Sequence, residues 1–259
     1  MDIKLKNKVI LVTGGSKGIG NGICNVLAEE GAIPVIIGRN KPNILEAVQK
    51  IKDNGGQAFH AFAELTDKDA CEQAVKSVIK EFGRIDGLVN NAGVNDGVGL
   101  ENGNYDDFMT SIKRNVAHYY AMAHFALPEL KKSKGAIVNI GSKTSVTGQG
   151  KTSGYAAANG ARNALTREWA VELLPYGIRV NAVIVAECYT PLYKKWLDTF
   201  PNPEEKLNSI TQNIPLENRM TTATEIANSV VFLLSEASSH TTGQLVFVDG
   251  GYTHLDRAL

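Results

Sequence analysis

The chain has 259 residues, 43% of them hydrophobic and 21% charged, enough to bury a sizeable core as one large α/β domain or two small ones. Lys plus Arg and Asp plus Glu stand at 27 each, so no bulk field exists to attract nucleic acid or an anionic membrane. No apolar run approaches the roughly 20 residues that span a bilayer, and the first one leads into a glycine turn, not a cleavage site, so a cytoplasmic location is the default expectation.

In chain order, apolar β-branched runs alternate with helical patterns. "KVILVTGG" precedes "GIGNGICNVLAEEG", and "IPVIIGR" precedes "PNILEAVQKIKDNGG". "QAFHAFAEL" leads to "DKDACEQAVKSVIKEFG", and "IDGLVNNAG" to a long helix around 105–131. Next come "GAIVNIGS", a helix over about 154–175, "IRVNAVIVA", a helix near 223–234, and "GQLVFVDGG". Seven short strands joined by crossover helices predict an α/β fold: a Rossmann-type, doubly wound parallel sheet with helices on both faces and ligands at the strands' C-terminal ends. With no repeat and no Pro/Ser-rich linker, a single domain over 1–259 is expected. Residues 186–222 break the rhythm with two short helical patterns, several prolines and exposed-looking aromatics, which reads as a substrate lid. Cys24, Cys71 and Cys188 are widely spaced and odd in number, which suits buried or incidental thiols better than a metal site or a disulfide framework.

Two short stretches carry the chemistry. "VTGGSKGIG" (12–20) joins the first strand to the first helix, where glycines permit a tight turn and the helix N-terminus offers unpaired N–H groups to an anion. Its spacing departs from G-x-G-x-x-G, so a bare strand–helix connection is the competing reading. The second strand ends "IIGRN", with Arg39 where an acidic residue would bind a ribose 2′-hydroxyl. Arg39, assisted by Lys17, suits a 2′-phosphate and so NADP over NAD; two solvated surface cations are the alternative. Further along, "YAAAN" places Tyr155 and Asn159 on one helix face. A tyrosine ordinarily titrates near about 10 and needs a nearby cation to act at neutral pH, yet position 159 carries an amide.

The glycine turn is followed by "NNAG" at 90–93, "NIGS" at 139–142, a tyrosine 13 residues after Ser142, and "VDGG" at 248–251. In this order and spacing the chain resembles the short-chain dehydrogenase/reductase family from end to end. The resemblance implies a single Rossmann domain, usually a homotetramer, that moves hydride between NAD(P) and a carbonyl/alcohol pair. It implies that Gly14, Gly18 and Gly20 cradle the pyrophosphate, with Ser16, Lys17 and Ile19 of the same turn also against the cofactor. Glu64 stands where an aspartate commonly contacts adenine, with Leu65 beside it. Asn90, Ala92 and Gly93 would line the adenosine-to-nicotinamide stretch, and Thr190 would contact the carboxamide. Asn115 matches an asparagine that kinks the long helix and holds a water of the proton relay. Ser142 matches the serine that binds the substrate oxygen, and Tyr155 the acid/base. The family pattern Tyr-x-x-x-Lys puts its lysine at Asn159, where it would bind the ribose hydroxyls and assist the tyrosine. Its absence implies a rate lower by roughly two to four decades. Lys143 and Lys151, in loops leading to Tyr155, are the candidate substitutes.

"GVNDGVGL", "GSKTSVTGQGKTSGY", "AECYTPLY" and the tail "HTTGQLVFVDGGYTHLDRAL" look most like the L-fucose and related sugar dehydrogenases of bacteria. Asn95, Lys143, Gln149 and Glu187 would offer a sugar hydrogen bonds, and Tyr189, Tyr193 and Trp196 could stack on a pyranose face. The implied reaction is oxidation of an aldose to its lactone. The alternatives are a 3-oxoacyl carrier-protein reductase, a general carbonyl reductase, or an inactive nucleotide-binding relative.

Overall fold

The computed structural model describes residues 3–255. The first two and last four residues of the domain expected over 1–259 lie outside the described residues. Strands β1 (Val9–Thr13), β2 (Ile33–Gly38), β3 (Phe59–Phe62), β4 (Gly87–Asn90), β5 (Ala136–Ser142), β6 (Arg179–Val185) and β7 (Leu245–Val248) form one parallel sheet. Their order is β3-β2-β1-β4-β5-β6-β7, so the chain reverses direction between β1 and β4 and opens a crevice there. Val12 lies level with both Ile36 and Val89, which sets the register at that crevice.

The central strands β1, β4 and β5 are buried along their whole length. They are apolar without alternation because helices cover both faces. Helices α1 (Gly18–Glu29), α2 (Lys41–Asp53) and α9 (Ala223–Leu234) pack over one face against Ile10, Val12, Val138 and Val183. Helices α3 (Lys68–Phe82), α5 (His118–Ser133) and α6 (Ser153–Glu172) cover the other, against Val9, Leu11, Leu88, Ile137 and Val180. Among the described residues, no helix is long and apolar enough to cross a membrane.

Two expected helices differ in detail. The long helix around 105–131 starts as α4 (Tyr105–Ile112) and passes through a π-helical turn, Lys113–Ala117, before continuing as α5. The extra residue of that turn buries Asn115 and Val116. The helix expected over 154–175 ends at Glu172, and a short 3₁₀ turn, Leu174–Tyr176, follows around Pro175, which cannot extend the hydrogen-bond ladder.

Residues 186–222 rise over the strand ends and carry α7 (Pro191–Leu197) and α8 (Pro203–Thr211). Their two feet are pinned together: Thr221 N–H donates to the Glu187 carbonyl at 3.0 Å, and Cys188 pairs with Thr221 as an isolated parallel bridge. The returning foot runs into α9 through a capping box, in which Thr222 Oγ1 accepts from Glu225 N–H and Glu225 accepts from Thr222 N–H. Arg219 closes on the same carboxylate at 2.8 Å. Both feet rest on α1. Thr190 packs over Gly18, and a Cβ at Gly22 would lie 2.9 Å from the Cβ of Ala223.

The hydrogen bond from Arg219, aided by Thr222 N–H, holds the Glu225 carboxyl at about 2, below its ordinary 4.5. A depressed carboxyl contributes stability that is complete above 4.5 and lost as pH falls through about 2. The Tm of Glu225→Gln is therefore expected to lie below that of the parent at neutral pH, with the gap closing across that window. Thermal melts at stepped pH check this, and a gap independent of pH contradicts it.

Candidate active site

The C-terminal ends of β1, β4, β5 and β6 face a cavity of ≈ 530 Å³ whose floor is the glycine turn and whose roof is the start of the 186–222 segment. Its size falls within the range of small-molecule and cofactor sites. Gly14, Lys17, Gly18, Ile19 and Gly20 border it from the turn, Ala92 and Gly93 from the loop after β4, and Thr190 from above. Lys17 is the extended residue that opens α1, and no side chain caps the helix, so its first N–H groups are available to an anion. Gly20 must be glycine, because a Cβ there would overlap the Gly14 carbonyl. Thr13 Oγ1 accepts from Asn91 N–H at 2.9 Å and Ala92 N–H at 3.1 Å, which fixes the β4 loop to the end of β1.

Some residues named from the sequence lie outside the cavity lining. Ser16 does not border it. Asn90 is buried beneath it and donates to Asn139 Oδ1 at 3.0 Å, tying β4 to β5. At the tip of β2, Arg39 pairs with Glu64 at 2.9 Å on the surface. Burial pushes the Glu64 carboxyl up, but hydrogen bonds from Arg39 and Thr66 outweigh it and hold it below the ordinary range. Leu65 is partly buried against the core on the α3 side.

At the other end of the cavity, Ser142 closes β5 and Tyr155 stands in the first turn of α6. Asn159 is wholly buried, and its amide donates to the Tyr155 carbonyl at 2.9 Å. Of the substitute cations considered, the Lys143 ammonium is taken by Glu187 and lies 3.9 Å from the Tyr252 ring centroid, while Lys151 is exposed in the loop before α6.

A different cation fills the centre. Arg162, seven residues after Tyr155 and so two turns along the same helix face, borders the cavity at 2% exposure. Its Nη1 donates to Asn159 Oδ1 at 2.9 Å and to the Ile140 carbonyl at 3.1 Å. Its Nε donates to the Asn115 carbonyl at 2.7 Å, and Nη2 donates to the same oxygen. That carbonyl belongs to the π-helical turn, while the Asn115 side chain accepts from Val94 N–H at 2.8 Å. The guanidinium lies 4.3 Å over the Tyr119 ring. No carboxylate pairs with it among the described residues. Gly93 gives it room, since a Cβ there would come within 2.8 Å of Nη2. Burial pushes the neighbouring His118 imidazole down to about 4, with the Arg162 charge adding to the effect.

Of the side chains expected around a substrate, Asn95 and Tyr193 line the cavity. Behind Tyr193, Glu187 accepts its hydroxyl at 2.6 Å and is paired with Lys143 on its other oxygen. Burial raises the Tyr193 phenol, with the Glu187 charge adding to it. Trp196 packs edge-on against Tyr193 at 5.2 Å outside the lining, and Tyr189 and Gln149 are exposed. Sequence reasoning passed over Asn91, Lys195 and Arg162, all on the cavity wall. Asn91 lies within the quoted "NNAG", while a lone arginine in a helix carries no mark of burial.

A family model described as enoyl-(acyl carrier protein) reductase matches residues 14–253. The L-fucose dehydrogenase of Bos taurus is 32% identical over 97% of this chain and 91% of its own length. The 3-oxoacyl-[acyl-carrier-protein] reductase FabG of Thermotoga maritima is 32% identical over 96% of this chain and 99% of its own. A crystal structure of Cj0485 dehydrogenase superposes with a TM-score of 0.94 at 48% identity, covering 100% of this chain and 99% of that one.

Gly20→Ala, which sets a methyl group against the Gly14 carbonyl, is expected to weaken NAD(P)⁺ binding about tenfold or more, the equivalent of about 1.4 kcal/mol. Titration calorimetry measures this, and an unchanged affinity would remove the glycine turn from the binding surface.

Proposed function

The chain belongs to the short-chain dehydrogenase/reductase family, and on that premise we propose that it oxidises the anomeric hydroxyl of L-fucose or a related aldose to the lactone, with NADP⁺ preferred over NAD⁺. The observation that carries the sugar reading is the set of hydrogen-bonding side chains, Asn95 and Tyr193, that border the same cavity as Ser142 and Tyr155. Tyr193 and Asn95 face the cavity, and Glu187 holds Tyr193 in place while Lys143 neutralises it. A polyhydroxylated substrate needs such donors and acceptors, whereas an acyl chain needs an apolar wall. The likeness to an L-fucose dehydrogenase supports the same substrate class.

The residues present fit a nicotinamide dinucleotide: an uncapped helix N-terminus, a turn that excludes a Cβ at Gly20, and a cavity that continues to Ser142. The glycine turn, Lys17, Ala92, Gly93 and Thr190 would hold it, with Arg39 at the 2′-phosphate after exchanging its partner Glu64. When bound, the cofactor supplies the hydride acceptor. Ser142 Oγ donates a hydrogen bond to the substrate oxygen, and Tyr155 Oη takes its proton. The carbon–hydrogen pair leaves as hydride and a C=O remains, so one hydride and one proton account for the oxidation. Residues 186–222 serve as the lid of a single domain, which works as a homotetramer.

A carbonyl-reducing role is the second reading, supported by a FabG relative at equal identity. Initial rates separate the two: L-fucose-dependent reduction of NADP⁺ is expected, and reduction of a β-ketoacyl thioester without any sugar oxidation would overturn the sugar assignment. If nicotinamide dinucleotides bind but no alcohol or carbonyl turns over, the chain is a nucleotide-binding protein instead. Glu187→Gln, which weakens the charged hydrogen bond that aims Tyr193 into the cavity, is expected to raise the KM for the sugar roughly 10-fold, within the scale of such a bond. Arg39→Ala is expected to raise the KM for NADP⁺ about tenfold, with a smaller effect on NAD⁺, which steady-state kinetics with both cofactors will show.

A further inference from the structure

We propose that Arg162 supplies the positive charge of this active centre, its buried guanidinium serving Tyr155 in place of an ammonium group at position 159. The proposal rests on the dehydrogenase reading above and implies that Asn159 does not disable the chain.

Three observations carry it. First, Arg162 is 2% exposed, lines the cavity that holds Ser142 and Tyr155, and has no carboxylate partner among the described residues. Arginine keeps its charge across the working pH range, so this is a standing cation and not a titrating one. Its acceptors are the neutral oxygens of Asn115, Ile140 and Asn159, which fix its place without cancelling its charge. A buried charge without a counter-ion favours a negative form on any ionisable neighbour. Second, Asn159 is the part that links the two. It donates to the Tyr155 carbonyl and accepts from Arg162, so the side chain at this position seats the cation one helical turn further along. A lysine here would meet Arg162 charge to charge. Third, the surroundings are cut to the guanidinium. Gly93 has no Cβ where Nη2 lies, and the π-helical turn presents the Asn115 carbonyl to Nε and Nη2.

The other titratable and charged groups facing this centre come from α5, the end of β5, the glycine turn and the 186–222 segment. From α5, His118 is held neutral at physiological pH and Tyr119 is pushed upward by burial. Lys143, at the end of β5, is neutralised by Glu187 from the foot of the lid. Lys17 borders the cavity from the glycine turn, and Lys195 and Tyr193 border it from the lid.

The test has a readout that needs neither substrate nor cofactor. The Tyr155 step in a tyrosinate-absorbance titration is isolated by subtracting Tyr155→Phe. In folded Arg162→Met this step is expected to move up by about one pH unit or more, the scale of losing a nearby charge. In Arg162→Lys it is expected to stay close to the parent. An unmoved step in folded Arg162→Met overturns the proposal, because a purely structural arginine would alter melting without altering this ionisation.

Asn159→Lys covers the case in which Arg162→Met does not fold. By setting two buried cations together it is expected to lower L-fucose-dependent turnover roughly tenfold or more. A rise above the parent rate means the centre lacked a cation, and the proposal fails. If the titration behaves as expected while no sugar is oxidised, the substrate assignment fails and the role of Arg162 stands.

Discussion

A full positive charge held out of water, with no carboxylate to meet it, is what the centre of this protein is arranged around. An isolated ion in a low-dielectric interior is costly unless oriented dipoles replace its hydration shell. The replacements for Arg162 come from three separate elements: the π-helical turn, the end of β5 and the second turn of α6. The Tyr119 ring covers a fourth side with its negative face. Each element is thereby held to the others through one guanidinium. The irregularity in the long helix lies at the same place, since the carbonyl that meets Nε and Nη2 belongs to the π-helical turn.

The two clusters of charge near the cavity divide the work by whether they are neutralised. Lys143 and Glu187 cancel one another and so contribute direction: Tyr193 is aimed by its bond to Glu187. Arg162 is not cancelled and contributes field. A neutral, well-aimed hydroxyl such as that of Tyr193 suits recognition of polar groups, and an uncompensated cation suits a step in which negative charge develops on oxygen.

Much of this molecule was legible in its sequence. The seven parallel strands and the helices between them follow from short apolar runs with helical spacers, because a parallel sheet covered on both faces forces near-continuous hydrophobic strands. The glycine turn was legible for a similar reason: close backbone approach leaves glycine few substitutes. What stayed hidden depends on partners distant in the chain. Arg39 and Glu64, 25 residues apart, meet only because β2 and β3 pair. The π-helical turn adds one residue without any compositional mark. Arg162 in "NGARNALTREWA" is indistinguishable by periodicity from a solvated helix cation, and only the 47-residue separation to Asn115, closed by the fold, makes it a buried one.

The feet of the 186–222 segment offer a last consequence. Thr190 leans on Gly18, Ala223 lies against Gly22, and Glu187 and Thr221 are bonded to one another, so the loop is closed at its base and seated on a single helix. That helix is the one whose N-terminus faces the glycine turn. The ordering entropy of a long loop is reduced when its ends are already joined, which leaves the seat as the main variable governing how firmly it lies. Occupants of the two halves of the cavity therefore share a mechanical foundation. By the reciprocity of thermodynamic linkage, whatever one adds to the other's affinity it receives back in equal measure.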